Sequence, residues 1–364
     1  MSTNLNSLLA PIITDHLELR NRVVMAPMNR RRAPKGVPGP STAVYFAQRA
    51  SAGMIITDNT AIAPNAIGYL NTPGIYNDSQ VEGWKKVARA VHEKGGTIFM
   101  QLVHSGRIGH ISNNEDQMPL VAPSAIAAKE FVRTNAGHLP MSTPVMLSVD
   151  EIGDIIKAHA TAARKAIEAG FDGVEIHGAH GFLAEQFLHP LTNQRTDDYG
   201  GNLVNRSRFL LETLSAVSQA IGRKKTGVRL SPFATVNDLP AYIDETDTHL
   251  YLASELNKMG ILYLHLSDLS PAAGVTIPPL MLHALRSKFS GLLIVAGNYT
   301  ANSGNDIIES GLADLVAFGR PYISNPDLVE RFRSGAPLAD GDPSTYYDGG
   351  ESGYTDYVCF DEFV

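Results

Sequence analysis

The chain has 364 residues, 30 Lys+Arg against 37 Asp+Glu for a formal charge of −7, 44 % hydrophobic and 18 % charged residues, and one cysteine. That balance argues against a disordered or fibrous chain, the net acidity makes nucleic acid an unexpected partner, and Cys359 alone excludes a disulfide framework or a cysteine-rich metal site. The first residues lack the basic and then apolar pattern of a secretory leader, and no window approaches the roughly 18 consecutive apolar residues of a membrane span, so a soluble, cytoplasmic protein that does not engage membranes is expected.

In chain order, short β-branched or apolar runs alternate with longer helical stretches. Strands are predicted at 22–25 and 54–57. Ser79 to Lys94 follows, with Val81, Trp84, Val87, Ala88 and Val91 at helical spacing. A third strand is predicted at 98–102. Residues 105–147 are then rich in Pro, Ser and Asn, too long for a passive connection inside a compact domain. Ser148 to Ala169 opens Ser-Val-Asp-Glu, a capping box, and stops at Gly170. Further strands are predicted at 173–176, 226–230, 262–265, 292–296 and 315–318. Helices Asn205 to Ile221 and Thr246 to Met259 lie among them, closed by Gly222 and Gly260. Eight strands alternating with helices predict a (β/α)8 TIM barrel, a single domain over residues 1–364, with a long loop after strand three and a C-terminal tail after residue 336.

In such a barrel the chemistry collects at the C-terminal ends of the strands. Strand one runs into Ala26-Pro27-Met28-Asn29 and strand two into Asp58-Asn59. Strand three presents Gln101 and His104, strand four ends at His177 with His180 three residues on, and strand five carries Arg229. Strands seven and eight run into Gly297-Asn298 and Gly319-Arg320, where bare backbone and a guanidinium suit a phosphate. Arg229 can instead be a structural cation paired with Asp58 or Glu175. No His-x-Glu or His-x-x-x-His arrangement with acidic partners suggests metal hydrolysis, and nothing pairs two carboxylates as glycoside hydrolysis requires. A phosphate-bearing organic cofactor over the barrel mouth fits the set best.

At these residues the chain resembles the Old Yellow Enzyme family of FMN-dependent oxidoreductases. The matches run from Asn21-Arg-Val-Val-Met-Ala-Pro27 through Gln101-Leu102, His104-Ser-Gly-Arg107 and Ala169-Gly-Phe-Asp-Gly-Val-Glu-Ile-His177. They continue through Asn193-Gln-Arg-Thr-Asp-Asp-Tyr-Gly-Gly201 to Gly353-Tyr-Thr-Asp-Tyr357. The resemblance implies FMN as cofactor, NADPH or NADH as reductant, and a small-molecule enone or related activated alkene as substrate. It implies that Pro27, Met28, Asn29 and Asn59 lie beside the flavin, that Gln101 and Arg229 bond its pyrimidine edge, and that Gly297, Asn298, Gly319 and Arg320 cradle its phosphate. His177 and His180 would donate to the substrate carbonyl oxygen while a hydride passes from the flavin N5 to the β-carbon. Tyr69, Val103 and Tyr354 would line the substrate side. A monomer or homodimer is expected, without a choice between them.

Four positions depart from the family pattern. The family places a proton-donating tyrosine two residues after the second histidine; this chain reads His180-Gly-Phe182-Leu183, and Phe has no hydroxyl. Asn29 replaces a Thr or Cys, Asn59 a small residue, and Val103 a Trp, the last expected to enlarge the pocket. Three functions stay open on this reading. One is an ene-reductase whose proton comes from water or another residue such as Tyr69. The second is a redox-neutral isomerase or dehydrogenase, and the third a flavin-binding protein without efficient turnover.

Overall fold

The computed structural model describes residues 5–269, 277–347 and 350–360. The barrel strands are β1 (Val23–Met25), β2 (Met54–Ile56), β3 (Ile98–Val103), β4 (Gly173–His177), β5 (Thr226–Leu230), β6 (Tyr263–Ser267), β7 (Leu292–Ala296) and β8 (Leu315–Phe318). Each pairs in parallel with the next, and β8 returns to β1 with Val316 opposite Val23, so the sheet closes on itself. Helices α1 (Pro40–Gln48), α2 (Asp78–His92), α3 (Val149–Glu168), α4 (Leu183–Leu188), α5 (Leu203–Ile221), α6 (Glu245–Met259), α7 (Pro279–Lys288), α8 (Ala301–Glu309), α9 (Arg320–Ser324) and α10 (Leu328–Ser334) fill the connections. The (β/α)8 barrel expected from the sequence is the fold observed.

Strand alternation divides the core into two shells. Val24, Met54, Ile56, Phe99, Tyr263, Ile294 and Leu315 point inward and fill the lower barrel. Their neighbours Val23, Met25, Ile55, Ile98, Met100 and Val316 point outward against the helices. The N-terminal surplus caps the floor: strands Ile12–Ile13 and Glu18–Leu19 pair antiparallel, and Leu19 packs on the inner shell. Local signals agree with this placement. Ser148 and Glu151 exchange both capping-box bonds at the start of α3, and Gly260, with φ 64°, ends α6 in the left-handed conformation that favours glycine.

The excursion after β3 has secondary structure of its own. Phe131–Thr134 and Gly137–Pro140 form a hairpin, and Val121–Ala122 pairs with Val145–Met146. Ile108, Ala128, Val132 and Met141 from this excursion close over Val103 and Phe182, which roofs one side of the barrel mouth.

Candidate active site

The C-terminal ends of the strands surround one cavity of about 1160 Å³. Pro27, Met28, Asn29, Asn59, Tyr69, Gln101, His177, His180, Phe182, Arg229, Gly297, Asn298, Gly319 and Arg320 all lie on its wall. Nearly every residue singled out from strand ends is thus brought to one place.

Its deepest polar layer is a buried chain of bonds. Gln101 Nε2 donates to Glu175 Oε1 at 2.7 Å, and His265 Nδ1 lies 2.8 Å from Glu175 Oε2. Both Glu175 and His265 have no solvent exposure. Glu175 therefore fixes which way the Gln101 amide faces. Arg229 is not ion-paired with Asp58 or Glu175; its Nη2 donates to Ser267 Oγ at 3.0 Å. Burial lowers the Arg229 pKa to about 10, against the opposing pull of Glu175, and it stays a cation at neutral pH. Asp58 instead accepts the Arg30 backbone N–H at 3.0 Å, and burial raises its carboxyl to about 6.

The two histidines sit at the end of β4 and in the turn that follows. Their ring centroids are 5.2 Å apart and their planes are 84° from parallel. His180 has φ 58°, a strained value for a residue with a Cβ. Three bonds hold it there: its N–H donates to Ser231 Oγ at 2.9 Å, its carbonyl accepts from Asn237 Nδ2 at 2.7 Å, and the next N–H, that of Gly181, donates to Glu185 at 2.5 Å. Burial, and then the charge of Arg229, keep both imidazoles neutral by holding their pKa values well below the usual range. His177 Nδ1 accepts the Ala179 N–H at 3.3 Å, so the neutral ring carries its proton on Nε2 as a donor. His180 Nε2 is 2.9 Å from Ser267 Oγ, the hydroxyl that also receives the Arg229 bond. One serine thereby couples the arginine to the second histidine.

Phe182 stands at the N-terminus of α4 and meets His177 edge to face, with centroids 4.7 Å apart. Tyr69 meets Phe182 in turn at 6.2 Å and 82°, and its hydroxyl lies 3.5 Å from Asn237 Oδ1. Burial raises the Tyr69 pKa, so the phenol keeps its proton. Asn29 is occupied with the protein: Nδ2 donates to Thr72 Oγ1 at 2.8 Å and Oδ1 accepts the Arg31 N–H at 2.9 Å.

Two expectations need correcting. Tyr354 is not on the cavity wall. It is 1 % exposed and stacked on Tyr45 at 4.2 Å and 13°, beside the buried Arg30 guanidinium. Arg30 donates to the tail carbonyls of Tyr346 and Gly353 and to Tyr45 Oη, so the tail is anchored through Tyr354. Tyr346 and Tyr347 reach the cavity instead; Asp348 and Gly349 of the same run lie outside the described residues. Val103 does not enlarge the cavity either. It is buried in a cluster with Ile108, Val132 and Met141 of the excursion and is not on the cavity wall. The predicted sixth strand, 262–265, contains His265 and stops short of Ser267; Tyr263, His265 and Ser267 alternate at period two, the signal for one inward face that points to both.

Some buried polar atoms on this wall lack partners. Arg229 Nε has no acceptor and Asn59 Oδ1 has no donor within the protein. Buried groups are rarely left so, and an unused donor and an unused acceptor on one cavity wall suit a bound group that carries both acceptors and donors, as a flavin does. At the opposite wall Arg320 Nη2 bonds Asn298 Oδ1 at 2.8 Å, joining the loops after β8 and β7 beside Gly319 and Gly297. The residues present fit FMN.

Comparison with known proteins agrees. Residues 7–339 match the NADH:flavin oxidoreductase / NADH oxidase family. The chain belongs to the Old Yellow Enzyme family. It is 44 % identical to the rice (Oryza sativa subsp. japonica) 12-oxophytodienoate reductase 1 over 363 residues, covering 98 % of this chain and 93 % of that one. Among solved structures, morphinone reductase superposes with a TM-score of 0.94 at 44 % identity over 99 % of both chains. The Old Yellow Enzyme homologue from Zymomonas mobilis superposes with a TM-score of 0.92 at 38 % identity, covering 97 % of this chain and 99 % of that one. As an Old Yellow Enzyme, this chain is an FMN-dependent NAD(P)H oxidoreductase of the ene-reductase type. Among the described residues no helix is long and apolar enough to cross a membrane.

Proposed function

We propose that this chain reduces the C=C bond of α,β-unsaturated carbonyl compounds, with a proton source other than the family tyrosine. The observation that carries this reading is the pair of neutral, buried imidazoles at His177 and His180 on the same cavity wall as Arg229 and Gln101. When bound, FMN supplies hydride exchange with NAD(P)H and with the alkene. Gln101 and Arg229 would hold its pyrimidine edge, with Pro27, Met28, Asn29 and Asn59 beside the ring system. Gly297, Asn298, Gly319 and Arg320 would hold its phosphate.

The protein's part follows from its donors and charges. His177 presents Nε2–H and, being neutral, remains a hydrogen-bond donor without adding a cation to the site. A carbonyl oxygen placed between the two histidines gains bonds that strengthen as it becomes enolate-like, the differential that accelerates a reaction. Arg229 stabilises negative charge near the flavin edge, and the Glu175–Gln101 bond keeps the amide orientation fixed beforehand. Phe182 presents an apolar edge where a hydroxyl would otherwise protonate the α-carbon. The phenol in ring contact with Phe182 along this wall is Tyr69, which burial keeps protonated. We assign the proton to Tyr69 or to water beside it.

The absence of a hydroxyl at Phe182 also supports a second reading, in which the hydride is returned to the substrate elsewhere in a redox-neutral isomerisation. One anaerobic experiment separates the two. The flavoprotein is bleached with NADPH and 2-cyclohexenone is added. Return of the yellow colour with formation of cyclohexanone supports the reductase. A bleached flavin that the enone does not reoxidise removes it and favours the isomerase.

A further inference from the structure

Residues 30–32 are three consecutive arginines with different uses. Arg30 is buried and bonded to Tyr45, Tyr346 and Gly353. Arg32 donates to the carbonyls of Arg30, Thr345, Gly350 and Ser352. Both therefore fasten the tail. Arg31 is turned away from them. Its φ is 53°, and the turn is held by Asn29 Oδ1, which accepts the Arg31 N–H at 2.9 Å. Asn29, which differs from the family's Thr or Cys, is thus the residue that aims Arg31 at the cavity.

The Arg31 guanidinium is half-buried on the cavity wall, 4.9 Å from the Tyr69 ring centroid and 5.3 Å from that of Tyr347. Two aromatic faces hold the plane of a guanidinium and leave its N–H edges free. Among the described residues no carboxylate or carbonyl accepts from it; the wall residues Asp268 and Asp340 do not pair with it. Its position is on the histidine side. Tyr69 touches Phe182 at 6.2 Å, and Phe182 touches His177 at 4.7 Å. Arg320, by contrast, is bonded to Asn298 across the loops after β7 and β8.

We propose that Arg31 is a specificity-determining residue that recognises an anionic group, carboxylate or phosphate, on the reactant bound at the histidine end of the cavity. The inference rests on the reductase reading of the same site. A positioned, unpaired guanidinium in a concave wall focuses positive potential and offers a bidentate fork to either oxyanion. The anion belongs either to the alkene substrate or to the nicotinamide nucleotide.

The test compares charged and uncharged probes on the flavoprotein and its Arg31→Gln and Arg31→Lys variants. For the substrate arm the probes are 4-oxopent-2-enoate and its methyl ester. For the nucleotide arm they are NADPH and the uncharged donor 1-benzyl-1,4-dihydronicotinamide. In Arg31→Gln the acid-to-ester KM ratio or the NADPH-to-benzyl KM ratio is expected to rise about tenfold or more, with partial recovery in Arg31→Lys. The arm that moves identifies the source of the anion. Both ratios staying within about twofold of the unaltered protein overturns the proposal. Ester reduction by the unaltered protein tests the reductase reading separately. If neither alkene is reduced, the dissociation constants of acid and ester for the oxidised flavoprotein, read from flavin absorbance, decide the role of Arg31 by the same ratio.

Discussion

The Phe182 ring meets the His177 imidazole edge to face, 4.7 Å between centroids and 71° between planes. This contact places an apolar edge beside the donor that would polarise a substrate carbonyl. Phe182 is 5 % exposed and lines the cavity, so its ring itself offers no proton there. In Phe182→Tyr the added O–H lies on the same wall as both histidines. Formation of saturated ketone is expected to accelerate about tenfold or more, within the range that a positioned acid contributes. Bleaching of the flavin by NADPH should keep its rate, because that half-reaction needs no proton at the α-carbon. The check is stopped-flow measurement of both halves with product analysis; an unchanged ketone rate would place the proton donor elsewhere for good.

Glu185 controls the turn that presents His180, and it is itself an unusual carboxyl. Gly181 N–H and Ser231 O–H both bond to it, but burial dominates and raises its pKa to about 8. The native state thus keeps a proton that the unfolded chain releases near 4.5. Stability from this group is fully present below the unfolded pKa and declines as pH rises from about 4.5 towards 8, by about 1.4 kcal/mol per pH unit at most. Glu185→Gln has no such proton to lose, because an amide does not titrate, and its carbonyl oxygen can still accept from Gly181. The stability of the variant relative to the unaltered protein should therefore increase from pH 5 to pH 8. Urea denaturation at several pH values measures this; a constant difference would mean that Glu185 is ionised throughout.

Much of this arrangement was legible in the sequence because barrels tie function to position. Short β-branched or apolar runs alternating with helices located all eight strands, and their C-terminal ends then named Gln101, His177 and Arg229. Features set by tertiary docking were less legible. The tail has no periodicity, so nothing local distinguishes Tyr354, which stacks on Tyr45, from Tyr347, which reaches the cavity. Arg31 looks like its neighbours until its positive φ is known. The Glu175–His265 bond joins residues on β4 and β6, which are not adjacent in the sheet. It is visible only once the barrel closes.

That bond yields a third expectation. Glu175 accepts from Gln101 on one oxygen and from His265 on the other. In Glu175→Gln only one carbonyl oxygen remains to accept, so either Gln101 loses its acceptor, at a cost of about 1–3 kcal/mol, or the new amide turns its N–H to His265 Nδ1 and forces the other imidazole tautomer. The first outcome frees Gln101 to rotate its amide. Flavin affinity, measured by quenching of FMN fluorescence on addition of the apoprotein, should then fall about tenfold, and the midpoint potential should shift because the amide beside the flavin edge is no longer fixed. Unchanged affinity and potential would show that Gln101 stays fixed without the carboxylate.

The tail separates anchoring from lining. Tyr354→Ala removes a buried ring stacked on Tyr45 beside the Arg30 guanidinium and should destabilise the protein by about 3 kcal/mol or more, lowering Tm by roughly 6–12 °C. Release of the tail should also expose residues 342–360 to limited proteolysis. Tyr347 is 55 % exposed and packs on Arg31, so Tyr347→Ala should leave Tm within about 2 °C and act on the KM of the alkene instead. Two assays, thermal melting and steady-state kinetics, thus sort the two tyrosines by different readouts. A Tyr354→Ala variant that melts normally but binds alkene poorly would return Tyr354 to the cavity and reverse the assignment made from its stacking.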